Sequence, residues 1–107
     1  MKASVSFHSY SQKIISSFAV SREVFAFDPA TIDLMNASGK LISEAMTAQH
    51  NQKYDFGQSR DILYPSSGSS KDWALVEKDV PLAWTWELRY VSKYIEFFDV
   101  MSRKCLN

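Results

Sequence analysis

The chain has 107 residues, of which 46% are hydrophobic, a combination typical of one small globular domain and not of a disordered segment. Its 12 basic and 12 acidic side chains balance, so no charge excess points to nucleic acid or to an acidic tail. The single cysteine, Cys105, excludes an internal disulfide and a zinc site built from cysteines. The sequence has no apolar run near the roughly 20 residues of a membrane span, and no signal-peptide pattern.

The first predicted element is a strand at the N-terminus. Val5 and Phe7 alternate with small serines, which is the period of a half-buried strand, and His8 follows at its C-terminal end. Because the sequence starts almost inside this strand, we expect a fragment or an alternative start. Residues 12–27 keep no period and predict irregular structure with one short element at most.

A long helix follows this irregular segment. Asp28 before Pro29 predicts its start, since Asp accepts a hydrogen bond from a free amide and Pro suits the first helical position. The helix is expected to end near residues 49–51. Its apolar face, which should pack on a sheet, recurs at three- and four-residue spacing and comprises Ile32, Met35, Ile42, Ala45, Met46 and Gln49, with Leu41 widening the stripe. Gly39 costs this helix about 1 kcal/mol relative to Ala.

Three shorter segments come next. Residues 54–57 are predicted as a turn, and residues 60–65 as a brief, strand-like apolar segment closed by Pro65. The serine-rich residues 66–70 predict an ordered loop, because the large aromatic Trp73 is expected to resume packing directly after it.

The last clear element is a strand over residues 82–89, on which Trp84 and Trp86 share one face while Glu87 and Arg89 share the other. Three strand-like segments and one long helix predict an α/β fold in which the helix covers one face of a mixed sheet. These elements leave large surfaces uncovered, so we expect part of the sheet to be missing. Residues 1–107 are therefore interpreted as one partial domain.

Two polar side chains at strand ends are candidates for chemistry. His8 is either a zinc ligand or a hydrogen-bonded structural residue, and the other histidine, His50, has no ligand partner at helical spacing. Glu87, between two apolar residues, is either a general acid or base or the salt-bridge partner of Arg89. Tyr64 either reaches into a cleft or covers the edge of the core. The serine loop lacks a nucleophile elbow, which excludes serine hydrolysis.

Three segments resemble, in order, motifs of one enzyme family. HSYSQ from His8, YPSSGSSKDW from Tyr64 and TWELR around Glu87 resemble the HSYSQ, Y-x-x-S-G-G-S-x-D-W and T-F-E-L-R motifs of the zinc metallocarboxypeptidases of the carboxypeptidase A and B type. The resemblance covers residues 4–89 and only the C-terminal part of the family's catalytic domain. It implies a fragment of the family's α/β/α fold and the release of single C-terminal amino acids from peptides.

The resemblance also implies roles for individual residues. His8 would be the third zinc ligand, Ser9 and Tyr10 would line the substrate cleft, Tyr64 would close over the peptide terminus, and Glu87 would be the general base. The family's H-x-x-E pair, which supplies the other two zinc ligands, is absent from this sequence. We therefore expect this chain alone to be inactive, with one zinc ligand present and the others missing.

Specificity depends on the residue just before the Asp-Trp pair of the serine loop. In the family this residue lies at the bottom of the pocket for the terminal side chain, apolar in A-type and acidic in B-type enzymes; here it is Lys71. A buried ammonium needs an anionic partner, so we predict a preference for C-terminal Glu or Asp, the alternative being that Lys71 points to solvent.

The sequence departs from the family at two places. Ser69 replaces a family glycine, which alters the loop if that glycine has positive φ. Residues 90–107 look like a divergent ending.

The implied partners are peptide or protein C-termini, with proteinaceous carboxypeptidase inhibitors as a further possibility, and neither nucleic acid nor membrane. The family is mostly secreted, which implies an extracellular protein. Two alternatives stand beside the enzyme: a non-catalytic truncated isoform that binds peptides or inhibitors, and an unrelated structural α/β domain.

Overall fold

A computed structural model of the chain describes residues 2–21 and 27–89, apart from the side chain of His50. These residues form four strands and three helices: β1 (Ala3–Ser9), β2 (Lys13–Ser16), α1 (Pro29–His50), β3 (Asp55–Gln58), α2 (Ser59–Ile62), α3 (Ser70–Lys78) and β4 (Leu82–Leu88). The predicted divergent ending, residues 90–107, lies outside the described residues.

The four strands form one mixed sheet in the order β1-β4-β2-β3. Strand β4 pairs in parallel with β1 and antiparallel with β2, and β2 pairs in parallel with β3. The register places His8 opposite Glu87 and Phe7 opposite Trp86. Since side chains directly opposite each other share a face, the histidine and the glutamate lie on one face and the aromatic pair on the other. The predicted fold class, a mixed sheet with a long covering helix, is confirmed.

Helix α1 begins and ends where the sequence predicts. Asp28 Oδ2 accepts hydrogen bonds from the backbone N–H of Thr31 at 2.9 Å and from its hydroxyl at 3.0 Å. These bonds, the backbone one first, lower the pKa of the Asp28 carboxyl below its usual value. At the other end, Asn51 adopts the left-handed conformation that terminates many helices.

Gly39 lies where α1 packs closely against the sheet. A Cβ added to it would lie 3.1 Å from Trp84 Cη2 and 3.1 Å from Phe56 Cδ2. Both distances are shorter than most Cβ contacts, so a side chain here would require a shift of a few tenths of an ångström. The glycine that weakens the helix locally thus permits its close packing. The sequence indicates only the local cost.

The apolar stripe of α1 is confirmed in part. Met35 is buried, and three further members pack against the same core, namely Ile32, Ile42 and Met46. The remaining three are exposed, namely Leu41, Ala45 and Gln49. The buried line instead runs through Met35, Gly39 and Ser43 at four-residue spacing. A stripe inferred from apolar residues alone misses a glycine and a serine on the contact line.

Tyr54 ties the end of α1 to the sheet. Its backbone carbonyl accepts a hydrogen bond from the buried Ser43 hydroxyl, and its backbone N–H donates to Thr47 Oγ1 at 3.1 Å. Its phenol oxygen accepts from the backbone N–H of Arg89 at 3.1 Å, just beyond β4. These three bonds fix the chain between α1 and β3, where the sequence predicts only a turn.

Three sequence predictions in the second half of the chain are wrong. Residues 55–58 form strand β3 because they pair with β2, although Asp55 and Gly57 favour a turn. The strand-like residues 60–65 contain instead the end of a one-turn helix, α2, which the backbone N–H of Arg60 ties to the carbonyl of Phe18 at 2.9 Å. Helix α3 is not predicted at all, and Trp73 within it is 56% exposed instead of resuming the packing.

Candidate active site

His8 and Glu87 come together because their strands are parallel neighbours in register. His8 Nδ1 lies 3.4 Å from Glu87 Oε1, a contact that is an ion pair when the imidazole is protonated. The imidazole is 56% exposed and the glutamate side chain 17% exposed. Within the described residues, Glu87 therefore pairs with His8 and not with Arg89, the alternative that the sequence offered. This arrangement leaves the carboxylate accessible to a ligand yet held in place.

A cavity of about 350 Å³ opens beside this pair, on the face of the sheet opposite α1. Its floor includes Thr85 of β4 and Ile15 of β2, and its wall is the serine loop together with the start of α3. The residues that line it are His8, Ile15, Ser59, Leu63, Gly68, Ser69, Ser70, Lys71, Thr85 and Glu87. Three of the residues singled out from the sequence, His8, Lys71 and Glu87, thus share one cavity.

Lys71 lies in the first turn of α3 and is only 8% exposed. Its ammonium donates a hydrogen bond to Ser69 Oγ at 2.8 Å. Burial lowers the pKa of Lys71 below its ordinary value, and the nearby Asp72 carboxylate opposes this in part. The side chain lines the cavity and does not point to solvent, so the solvent-facing alternative is wrong.

Asp72 holds the serine loop against the segment after β2. Its Oδ2 accepts a hydrogen bond from the backbone N–H of Ala19 at 2.9 Å, and the backbone N–H of Ser66 donates to the Ala19 carbonyl at 2.8 Å. These contacts join parts of the chain about fifty residues apart and shape the cavity wall. Sequence reasoning uses Asp72 only as a motif position, although the Asp-Trp pair is the signal that could have pointed to it.

The other predicted substrate-binding residues do not line the cavity. Tyr64 is 70% exposed on the loop before the serines, Ser9 is the exposed last residue of β1, and the exposed Tyr10 follows it. Ser9 and Tyr10 lie near the same end of the sheet as His8, since β1 ends at Ser9. The roles assigned to them by resemblance stay predictions.

Ser69 does not distort the loop in which it replaces a family glycine. Its φ of −73° and ψ of 129° are ordinary extended values, whereas its neighbour Gly68 has a φ of 76°. The left-handed position is thus filled by the glycine that the sequence retains. The departure at residue 69 adds a hydroxyl to the cavity without straining the backbone.

The described residues do not by themselves make a zinc site. They contain no group of three or more His, Cys, Asp or Glu side chains placed to hold a metal ion, and a catalytic zinc takes about three protein ligands. Among the residues that line the cavity, His8 is the one that the resemblance assigns as a ligand, and the side chain of His50 lies outside the described part.

Comparison with known proteins decides the family. The sequence model of the family described as zinc carboxypeptidase matches residues 1–102. The chain belongs to the zinc carboxypeptidase family. This membership excludes the unrelated structural domain considered from the sequence, and it confirms the resemblance carried by the three motifs.

Individual similar proteins show what share of a longer chain these residues match. Carboxypeptidase O of Homo sapiens is 36% identical, over 81% of this chain and 22% of its own length. Carboxypeptidase A1 of Rattus norvegicus is 34% identical, over 83% of this chain and 20% of its own. The crystal structure of thrombin activatable fibrinolysis inhibitor (TAFI) matches with a TM-score of 0.69 at 30% identity, covering 87% of this chain and 22% of that one. The chain thus spans about a fifth of the length of each of these three proteins.

Among the helices of the described ranges, none is both long and apolar enough to cross a membrane.

Proposed function

We propose that this chain contributes the general base, one zinc ligand and the specificity pocket to a carboxypeptidase that releases acidic C-terminal residues. The observation that carries the proposal is the meeting of His8, Glu87 and Lys71 around one cavity of about 350 Å³. Glu87 is the base that accepts a proton from the attacking nucleophile, and His8 is the ligand. Ser9, Tyr10 and Tyr64 contact the peptide, as the family resemblance implies.

Lys71 supports the acidic preference through its hydrogen-bonding capacity. An ammonium has three donors, and in the described structure one of them is directed to Ser69. The other two suit a carboxylate, which would also compensate the desolvation of the buried charge. A basic terminal side chain would be repelled in the same position, and an apolar one would leave the two remaining donors of the ammonium without a partner.

A chimaera tests the proposed specificity. Residues 1–107 replace the corresponding C-terminal segment of rat Carboxypeptidase A1, whose remaining four fifths supply the parts absent from this chain. We expect the zinc-loaded chimaera to hydrolyse an acyl-glycyl-glutamate substrate with a kcat/KM about tenfold to hundredfold above that for acyl-glycyl-leucine, the range expected for a hydrogen bond to a charged group.

The control for this experiment is Lys71→Ile in the same chimaera, which should reverse the ranking in favour of leucine. An unchanged preference for glutamate in that variant would show that another group recognises the acid. A chimaera that favours leucine while Lys71 is intact would refute the acidic specificity itself.

We further propose that the chain alone lacks peptidase activity because it does not retain zinc. Calorimetric titration of the 107-residue chain with zinc should give no one-to-one binding tighter than the micromolar range, since one histidine cannot replace three ligands. His8→Ala should remove the weak binding that remains. Tight one-to-one binding that survives this substitution would mean that the ligands come from elsewhere in the chain.

The incomplete ligand set also supports a second candidate function. A chain that keeps the cavity and Lys71 but not the metal could act as a non-catalytic module that binds peptide C-termini or carboxypeptidase inhibitors. Binding of acidic peptides by the zinc-free chain would favour this function, whereas activity only in the chimaera would favour the enzyme. Extracellular action, implied by the resemblance, stays a prediction.

A further inference from the structure

Ser69 occupies the N-cap position of α3, but its side chain does not accept a capping hydrogen bond. It is the N-cap residue of α3, a position where serine commonly accepts a hydrogen bond from a backbone amide of the first turn. Its side chain makes no such bond here. The hydroxyl instead accepts a hydrogen bond from Lys71 Nζ, two residues further on, at 2.8 Å. The hydroxyl of the N-cap residue thus holds the Lys71 side chain, which lines the cavity.

The Lys71 ammonium needs a fixed acceptor because of where it lies. Lys71 as a residue is only 8% exposed, and within the described ranges no carboxylate oxygen lies within the 4.0 Å of an ion pair with its ammonium. Lysine has a flexible stem of four methylene groups, so a charge at its end is poorly oriented unless something holds it. Among the described residues, the Ser69 hydroxyl is the partner that does so.

We propose that Ser69 is a positioning residue that aims the Lys71 ammonium into the cavity and thereby sets how strongly an acidic side chain is selected. The inference rests on the proposed function, because it concerns the same pocket. It adds a determinant at a position where the family motif has glycine, which carries no group able to hold a lysine. Ser69 and Lys71 then form one unit: the lysine supplies the charge and the serine its direction.

The experiment compares two peptides that differ only in charge, N-acetylglycyl-L-glutamate and N-acetylglycyl-L-glutamine, bound to the full 107-residue chain. Dissociation constants come from NMR chemical-shift titrations. We expect Ser69→Ala to reduce the preference for glutamate over glutamine by about threefold to tenfold, which is less than the loss of a direct bond to a charged group because Ser69 acts only through Lys71. Ser69→Thr restores the hydroxyl at an extended backbone position and should recover the preference.

Ser66→Ala is the matched control, since this serine lies in the same loop, is exposed and does not line the cavity. A second readout is the pH midpoint of the Lys71 ¹³Cε signal. Loss of the acceptor disfavours the charged amine, so this midpoint should fall in Ser69→Ala, recover in Ser69→Thr and stay unchanged in Ser66→Ala.

The outcomes separate this inference from the proposed function. If Ser69→Ala keeps both the glutamate preference and the Lys71 midpoint while Lys71→Met loses the preference, the positioning role is refuted and the acidic pocket stands. If Lys71→Met keeps the preference, or the unaltered chain shows none, the pocket and the positioning role both fail.

Discussion

Replacing Trp84 with alanine is expected to lower the free energy of unfolding by about 3–5 kcal/mol, the usual cost of truncating a buried large aromatic. Trp84 is 4% exposed and belongs to the main core cluster with Ile14, Phe18 and Met35. Its ring also fills the space left by Gly39, so its loss opens a cavity where α1 meets the sheet. Urea denaturation followed by circular dichroism measures the effect without relying on tryptophan fluorescence.

The chain offers a matched control for this substitution in Trp73. That residue is 56% exposed, and its described ring contact is with the Lys78 ammonium, 5.2 Å from the ring centroid. Trp73→Ala should therefore cost less than about 1 kcal/mol, the scale of an exposed cation–π contact. Equal losses from the two variants would contradict the assignment of the core. If Trp84→Ala does not fold, Trp84→Phe gives the graded comparison.

The long elements were predictable because each carries its own local signals. Asp28 and Pro29 mark the start of α1, and the alternation around Trp84 and Trp86 marks β4. Strand β3 and helix α2 have four residues each, too few for a period to be recognised, and tertiary pairing decides their conformation. Helix α3 starts inside a serine run that reads as a loop, and its cap residue does not use its hydroxyl as a cap.

The motifs of the sequence were enough to predict which residues form the site, but not the contacts between them. The resemblance named His8, Lys71 and Glu87, and the structure brings these three to one cavity. The contacts between Ser69 and Lys71 and between Asp72 and Ala19 depend on how the serine loop folds back on the segment after β2. A bond across more than fifty residues has no signature in local periodicity. The sequence thus indicates which groups matter, and the fold determines how they are held.

Lys71→Met is expected to raise the free energy of unfolding near neutral pH, by about 1 kcal/mol or more, while removing the preference for acidic peptides. Buried charges replaced by apolar side chains of similar size often give neutral or more stable proteins. Lys71 is buried with a hydroxyl as its bonding partner, so the folded chain carries a desolvation cost that methionine avoids. The residue that we assign to recognition is in this way a source of instability, as is common at functional sites.

Because the desolvation cost falls on the charged form of Lys71, the stability gained by Lys71→Met depends on pH. Burial lowers the pKa of Lys71 in the folded chain below its ordinary value of 10.5, so between the two values the unfolded chain binds more protons than the folded one. Stability therefore rises with pH across this window, and the advantage of Lys71→Met should be largest below it and shrink as pH approaches and passes 10.5. Urea denaturation from pH 7 to pH 11 measures the difference between the two proteins at each pH.

Lys40→Met provides the comparison, because Lys40 is exposed on α1, whereas Lys71 is buried. Its difference from the unaltered chain should stay constant over the same pH range, since groups common to both proteins cancel. A pH-independent advantage of Lys71→Met would mean that methionine simply packs better, and the buried charge would then not be the source of the cost. An advantage that shrinks with pH, together with lost discrimination between glutamate and glutamine peptides, would identify one ammonium as both the destabilising group and the recognising one.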